Sequence, residues 1–331
     1  MDYTINTFMS HTSIPAKLLK SARLQPEWGQ YGTDEWSEKR YGPSGYVGCS
    51  EVAAIMGLSP WSGPFSVAAL RKGLVPPIEL NDVMTLGHLV EPVIFYLWRL
   101  WAGKNLEIAG WWRPNFTFEH RTVPHFGASL DGAALLADGR KAVVECKHAS
   151  GRASAEIKDL ASGEAVSPAM QCHLIQVQAQ LAVTGYEVGY LSILADKSHT
   201  VVEVARDEET IARIEAAVAD FWATYVEGDA MPTPAVADLR DLDRQMATAE
   251  KTIERPDLRA AVESIRGLRE EKKRRTEDLD TAIKQYEAEI KAAMGDAEIM
   301  TVGEDCKPVT WKATTRKAYT VAAKTYRTLR V

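Results

Sequence analysis

The spacing of apolar and polar positions changes several times along this chain, and each change predicts an element. From Met84 to Ala102 apolar residues return at three- and four-residue steps, with Leu86, Val90, Ile94, Leu97 and Leu100 or Trp101 on one side. That period predicts a helix with a buried stripe. Ser50 to Met56 reads as a helix start, with Ser50 as its N-cap after Gly48. Trp111 to Glu119, Thr122 to Phe126, Lys141 to His148, Gly189 to Leu194 and Val201 to Val204 predict strands. Ser154 to Ser162 crosses over as a helix or loop. Pro168 to Thr184 predicts a second long helix, with His173, Gln176 and Gln180 on one side and Leu174, Val177 and Leu181 on the other. Ile211 to Glu227 predicts an amphipathic helix ending near Gly228, and Met231-Pro232-Thr233-Pro234 is a linker signal.

Beyond the linker the character changes. Asp238 to Glu254 and Asp257 to Met294 are charged helical patterns broken at Pro256, with Leu258, Val262, Ile265, Leu279, Ile283, Tyr286 and Ile290 recurring at helical steps. They predict an antiparallel helical hairpin or coiled coil. Met300 to Val331 predicts a β-hairpin and a final short helix. The expected organisation is a leader over 1–30, a core over 31–235, a helical arm over 236–296 and a basic hairpin tail over 297–331.

The chemistry concentrates in the middle of the core. Lys141 to His148 is β-like, so Glu145 and Lys147 share one face while Ala142, Val144 and Cys146 share the other. Ala137-Asp138-Gly139-Arg140 reads as a turn, and Asp131 arrives from the neighbouring strand. Two carboxylates and an ammonium then converge, a site for a hard divalent cation and the water it activates. A Glu-x-Lys strand also occurs as a solvated face with a weak ion pair. Here the flanking residues are apolar, as in an interior strand.

Asp131 … Glu145-x-Lys147 resembles the core of the PD-(D/E)XK nuclease superfamily. The chain is more closely similar to the lambda exonuclease and YqaJ-type viral recombinase nucleases. Trp36-x-x-x-Arg40, Gly48-Cys49-Ser50-Glu51, Gly57-Leu58-Ser59-Pro60-Trp61, Gly87-His88-Leu89-Val90-Glu91-Pro92 and Gln176-Val177-Gln178 carry the likeness, in that family's order, over roughly residues 30 to 200. Leu130 stands where the superfamily name expects proline. The resemblance implies an α/β (α+β) fold with a restriction-endonuclease-like mixed central sheet flanked by helices.

It also implies roles. Asp131, Glu145 and the Cys146 backbone carbonyl would hold Mg2+, with Glu91 completing or supporting the shell. Mn2+ would substitute, and Ca2+ would bind without supporting turnover. Lys147 would hold the attacking water, and Gln176 would sit beside the scissile phosphate. Arg40 and Ser50 would hold a 5′-phosphate. Read from residues alone, Ser50 is equally a helix cap, Arg40 a surface charge, Glu91 half of an ion pair with Arg99 or another base, and His173 a bystander. The implied activity is 5′-to-3′ digestion of linear double-stranded DNA ends. The resemblance further implies that 3′ single strands are left for a phage-type annealing or recombinase partner and that the enzyme is a homo-oligomer. A structure-specific or restriction-type endonuclease and a non-catalytic DNA-end scaffold are the other readings.

Composition narrows the setting. No apolar run approaches the roughly 18 residues of a membrane span, and Met1-Asp2-Tyr3-Thr4 opens no signal peptide, so a cytoplasmic protein is expected, and the resemblance implies a phage or prophage setting. The four cysteines, Cys49, Cys146, Cys172 and Cys306, form no C-x-x-C pair and read as buried thiols. Their spacing does not resemble that of the superfamily's iron–sulfur members. Net charge is −6, which by itself opposes nucleic acid. From Lys307 onward, however, the chain has basic residues and no acidic ones, a tail suited either to phosphates or to a solvated strand pair.

Overall fold

The strand Lys141–Ala149 (β7) is buried from Ala142 to Cys146, with apolar residues on both of its faces. It is central in a five-stranded sheet ordered β3-β6-β7-β8-β9, with β3 Ile108–Trp112, β6 Gly132–Leu136, β8 Val188–Ala195 and β9 Ser198–Ala205. β7 and β8 run parallel, and the other pairs are antiparallel. A parallel pair needs a crossover, and the helix Pro168–Thr184 lies between them in sequence.

The structure, a computed structural model, describes residues 23–25, 33–42, 45–77, 81–149, 157, 167–244, 256–294, 297–301 and 309–310. The helices are α1 Asp34–Tyr41, α2 Val52–Ile55, α3 Pro64–Arg71, α4 Asp82–Asn105, α5 Pro168–Thr184, α6 Glu208–Phe221, α7 Leu239–Arg244 and α8 Arg259–Met294. A second sheet joins β1 Arg23–Gln25, β4 Thr117–Glu119, β5 Phe126–Ser129 and β2 Val47–Gly48.

The main sheet separates two apolar clusters. On one side Ile94, Phe95, Trp98 and Ala102 of α4 pack with Val144, Cys146 and Tyr190; on the other Val177 and Leu181 of α5 pack with Val143, Leu191 and Ile193. α5 is well delimited: Ser167 accepts from Met170 N, Pro168 opens the first turn, and Gly185 closes it at φ 66°.

Several expectations shift. The buried stripe of α4 runs through Ile94, Trp98 and Ala102, leaving Leu86 and Leu100 exposed. The segment 111–119 is two strands in different sheets, and the strand expected at 122–126 begins only at Phe126. Ser50 is not a cap. It sits inside a short 3-10 turn, Cys49–Glu51, whose leading Gly48 N–H donates to the Glu51 carboxylate at 3.0 Å.

The chain divides into two units, Met1–Met246 and Ala247–Val331. The first runs past the Pro232/Pro234 segment because Asp238 is tied to α3: its Oδ1 accepts from Gly63 N, Ser66 N and Ser66 Oγ at 2.7, 3.0 and 2.7 Å. In the second unit α8 is one 36-residue helix with i,i+4 ion pairs such as Glu271–Arg275, and Ile299–Met300 pairs antiparallel with Val309–Thr310. Residues 245–255, which include much of the expected first arm of the helical pair, lie outside the described residues. So do the leader apart from 23–25, the 154–162 crossover apart from Ile157, and the basic tail apart from 297–301 and 309–310. Among the described residues no helix is long and apolar enough to cross a membrane.

Candidate active site

β6 and β7 form the expected hairpin, with Gly132 opposite Val144. Asp131 directly precedes β6, and its Oδ2 accepts from Cys146 N at 2.8 Å. A backbone bond thus fixes the first carboxylate against the strand that carries the second. Gly132 is needed beside it, since a Cβ there would lie 2.0 Å from the Phe95 ring.

Glu145 is 2% exposed and fully engaged. Gln176 Nε2 and Lys147 Nζ both donate to its Oε1 at 2.6 Å, and Gln180 Nε2 donates to its Oε2 at 2.6 Å. The two glutamines are four residues apart on α5, so one helical turn delivers both donors to one carboxylate. Glu91 accepts from Arg113 Nη2 at 2.8 Å, so an ion-pair partner that the sequence left as Arg99 or another base is Arg113.

These groups set one another's charge. Burial, and then the Glu145 and Glu91 carboxylates, push Asp131 well above the usual carboxylate range despite Lys147 and the Cys146 N–H. Burial also raises Glu91, against the pull of Arg113. Burial alone would lower Lys147, but Glu145 and Asp131 outweigh it, and the ammonium is held more firmly protonated than usual.

A second cluster lies on the N-terminal side. Arg40 is buried rather than a surface charge. Its guanidinium pairs with Glu51, donates to Ser50 Oγ at 3.3 Å, and sits 5.2 Å from the Tyr41 and Tyr46 ring centres. Arg71 Nη2 also meets Glu51, at 2.7 Å. Although burial opposes it, the two guanidinia keep Glu51 below the usual carboxylate range. A Cβ on Gly48 would strike Arg40 Nη2 at 2.2 Å, so this position must be glycine for the guanidinium to lie there. Arg40 and Ser50 are therefore brought together. Cys49 lies between the two clusters, within the field of both Arg40 and Glu145. Trp36 Nε1 donates to Ser129 Oγ at 3.3 Å, tying α1 to the strand end before Asp131.

The donor set suits a hard cation, because its anionic groups are all oxygen. Burial raises Asp131's proton affinity most, and the nearby Glu145 and Glu91 carboxylates raise it further, so negative charge is gathered at this point. Among the described residues, however, no three acidic, histidine or cysteine side chains already stand in a ligand cage. Glu145 is taken up by Gln176, Gln180 and Lys147, and Glu91 by Arg113. Cys49, Cys146 and Cys172 are free and buried. Glu51, Arg71, Arg113 and Gln180 were not singled out as site residues from sequence; only the i,i+4 spacing of Gln176 and Gln180 hinted at a pair.

Residues 35–187 match the YqaJ-like viral recombinase domain family. Over 298 residues the chain is 27% identical to the uncharacterized protein YqaJ of Bacillus subtilis strain 168, spanning 86% of this chain and 85% of that one. It is similar to the alkaline exonuclease LHK-Exo from Laribacter hongkongensis, at 23% identity over 59% of this chain and 93% of that one, TM-score 0.43. The complex of LHK-Exo with dAMP gives 24% identity over the same shares, TM-score 0.44. A phage related exonuclease from Haemophilus somnus 129PT gives 17% identity over 55% of this chain and 94% of that one, TM-score 0.41. Arg40, Glu91, Asp131, Glu145, Lys147 and Gln176 all fall within the stretch, residues 35–187, that matches the YqaJ-like viral recombinase domain.

Proposed function

We propose that this chain is a metal-dependent deoxyribonuclease that digests linear double-stranded DNA from its ends, 5′ to 3′. The observation that carries the proposal is the convergence of Asp131, Glu145 and Lys147 around one buried point. The recombinase-type domain and the exonucleases among its relatives support the reaction class. A Mg2+ ion, with Mn2+ as a substitute, would be held by Asp131, Glu145 and the Cys146 carbonyl, with Glu91 in support. Bound there, it would supply Lewis-acid stabilisation of phosphate charge and lower the pKa of water.

The chain's own residues do the rest. Lys147 Nζ stands 2.6 Å from Glu145 Oε1, and Glu145 and Asp131 favour its ammonium form. It donates to the attacking oxygen and offsets charge that grows on the phosphate. Gln176 and Gln180 hold Glu145 in one orientation. Arg40, aimed by Glu51, and Ser50 would receive a terminal 5′-phosphate. The 3′ strand left behind would pass to an annealing or recombinase protein in a phage or prophage setting. The enzyme is proposed to act in the cytoplasm as a homo-oligomer.

The test uses linear duplex DNA with 5′-phosphoryl ends, labelled separately at each terminus, with Mg2+. Release of 5′-terminal nucleotides, abolished by Lys147→Ala and by EDTA and sparing closed circles, is the expected result. Cutting of closed circles would replace it with an endonuclease. Tight end binding without hydrolysis would make the chain a scaffold.

A further inference from the structure

Trp61 is the only exposed tryptophan among the described residues, at 52% exposure, and it is not on a loose loop. Gly57, at φ +70°, turns the chain after α2. The Leu58 and Ser59 N–H groups both donate to Ala53 O, at 2.8 and 3.2 Å, and Ser59 Oγ accepts from Trp61 N at 3.2 Å. The Cys172 thiol of α5 donates to Leu58 O at 3.8 Å. The next residue, His173, stacks on the indole with planes 29° apart and centroids 6.3 Å apart.

This places an apolar ring face beside the carboxylate site. His173 lies one turn before Gln176, the donor to Glu145. Burial, and then the Lys147 charge, lower His173 to about 3, so its ring is a neutral backing plate and no proton carrier at physiological pH. About half of the Trp61 surface, 52%, is open to solvent beside that site. Every nucleobase has a π-face that an aromatic side chain can accept without reading sequence.

We infer that Trp61, backed by His173, is a nucleobase-stacking contact at the mouth of the carboxylate site, taking a base of the strand whose phosphodiester reaches Lys147. The inference rests on the nucleic-acid reading above and adds to it a contact that the Gly57–Trp61 motif left without a role.

The test measures binding, in EDTA, of fluorescent DNA ends whose last nucleotides carry either native bases or abasic residues. The wild-type protein is expected to prefer the native end about tenfold, the scale of one lost stack. Trp61→Ala should bind both ends as the wild type binds the abasic one. Trp61→Leu, which keeps apolar bulk against His173, should do the same, and Trp61→Phe should retain most of the preference. A purely structural Trp61 would weaken both ends equally. Equal weakening, no change, or no binding of either end overturns the inference. Nucleotide release by the wild type with Mg2+ is scored separately. A base preference without hydrolysis counts against the nuclease alone, and hydrolysis without a Trp61-dependent preference counts against the stack alone.

Discussion

Gln180 donates to Glu145 at 2.6 Å from inside the protein, on the carboxylate oxygen that Gln176 and Lys147 do not use. Gln180 is itself buried, so it acts as a brace behind the site rather than a group that meets substrate. Gln180→Leu would leave Glu145 Oε2 without its donor. The expected loss is about 1–3 kcal/mol of stability. A ten- to hundredfold fall in activity, on the order seen when a ligand's supporting partner is removed, should accompany it. A rise in the Mg2+ concentration needed for half-maximal rate, with the DNA requirement unchanged, distinguishes loss of this brace from general unfolding.

Asp131 gives a stability prediction of the opposite sign. Burial and the neighbouring carboxylates raise its proton affinity in the folded state. The native protein therefore holds a proton that the unfolded chain releases, and stability falls as pH rises from the ordinary value near ~3.9 through the raised one. Asp131→Asn removes that penalty. In EDTA at pH 8 the variant should melt above the wild type, by about 2–4 °C for each kcal/mol relieved, and the gap should narrow on acidification. Added Mg2+ should raise the wild-type Tm and leave that of the variant unchanged. Equal melting of the two proteins in EDTA at both ends of the range would refute the electrostatic account.

What the sequence made legible here was local. The β6–β7 hairpin follows from a period of two and a four-residue turn, and Glu145 and Lys147 must then share a face. The groups that hold those side chains came from afar. Arg113 reaches Glu91 from 22 residues away, and Gln180 reaches Glu145 from 35. The stripe of α4 was misread because Leu86, Val93 and Leu100 are apolar yet exposed, so apolar residues ring the helix and the period selects no single face. Ser50 was misread as a cap because the real acceptor, Glu51, lies three residues after Gly48 and does two tasks at once.

Glu51 is the pivot of its cluster. It accepts from Arg40, Arg71 and the Gly48 N–H, and Arg71 is only 1% exposed. Glu51→Gln would leave two buried guanidinia facing each other. Breaking a buried pair from one side costs about 3–5 kcal/mol. The carboxylate is held below its usual range in the fold, so its contribution is present above the unfolded value near ~4.3 and is lost as pH falls through the folded one. The difference between wild type and Glu51→Gln in urea unfolding should therefore be largest near neutrality and shrink below about pH 4. If Arg40 serves a terminal phosphate, the variant should also lose its preference for 5′-phosphoryl over 5′-hydroxyl ends.

Asp238 is the remaining long-range device. It follows the proline-rich segment, in a stretch whose charge pattern reads as the start of a separate arm. Yet its carboxylate closes the N-terminus of α3 from 175 residues away in sequence, accepting from Gly63 N and also from Ser66 N and Ser66 Oγ. The same group accepts from Ala235 N at 2.9 Å, so it fastens its own segment as well. A cap lost at a helix N-terminus costs about 0.5–2 kcal/mol, and each buried donor left without a partner about 1–3. Asp238→Ala should therefore cost at least about 2 kcal/mol in urea unfolding. Asp238→Asn, which keeps one accepting oxygen, should cost less. Because α3 carries Arg71 to Glu51, Asp238→Ala should also blunt any discrimination for a 5′-phosphate while leaving any Mg2+ dependence as it was. Cleavage after Arg244 by trypsin should come sooner in that variant. An unchanged digestion rate together with unchanged unfolding would show that α3 does not depend on this cap.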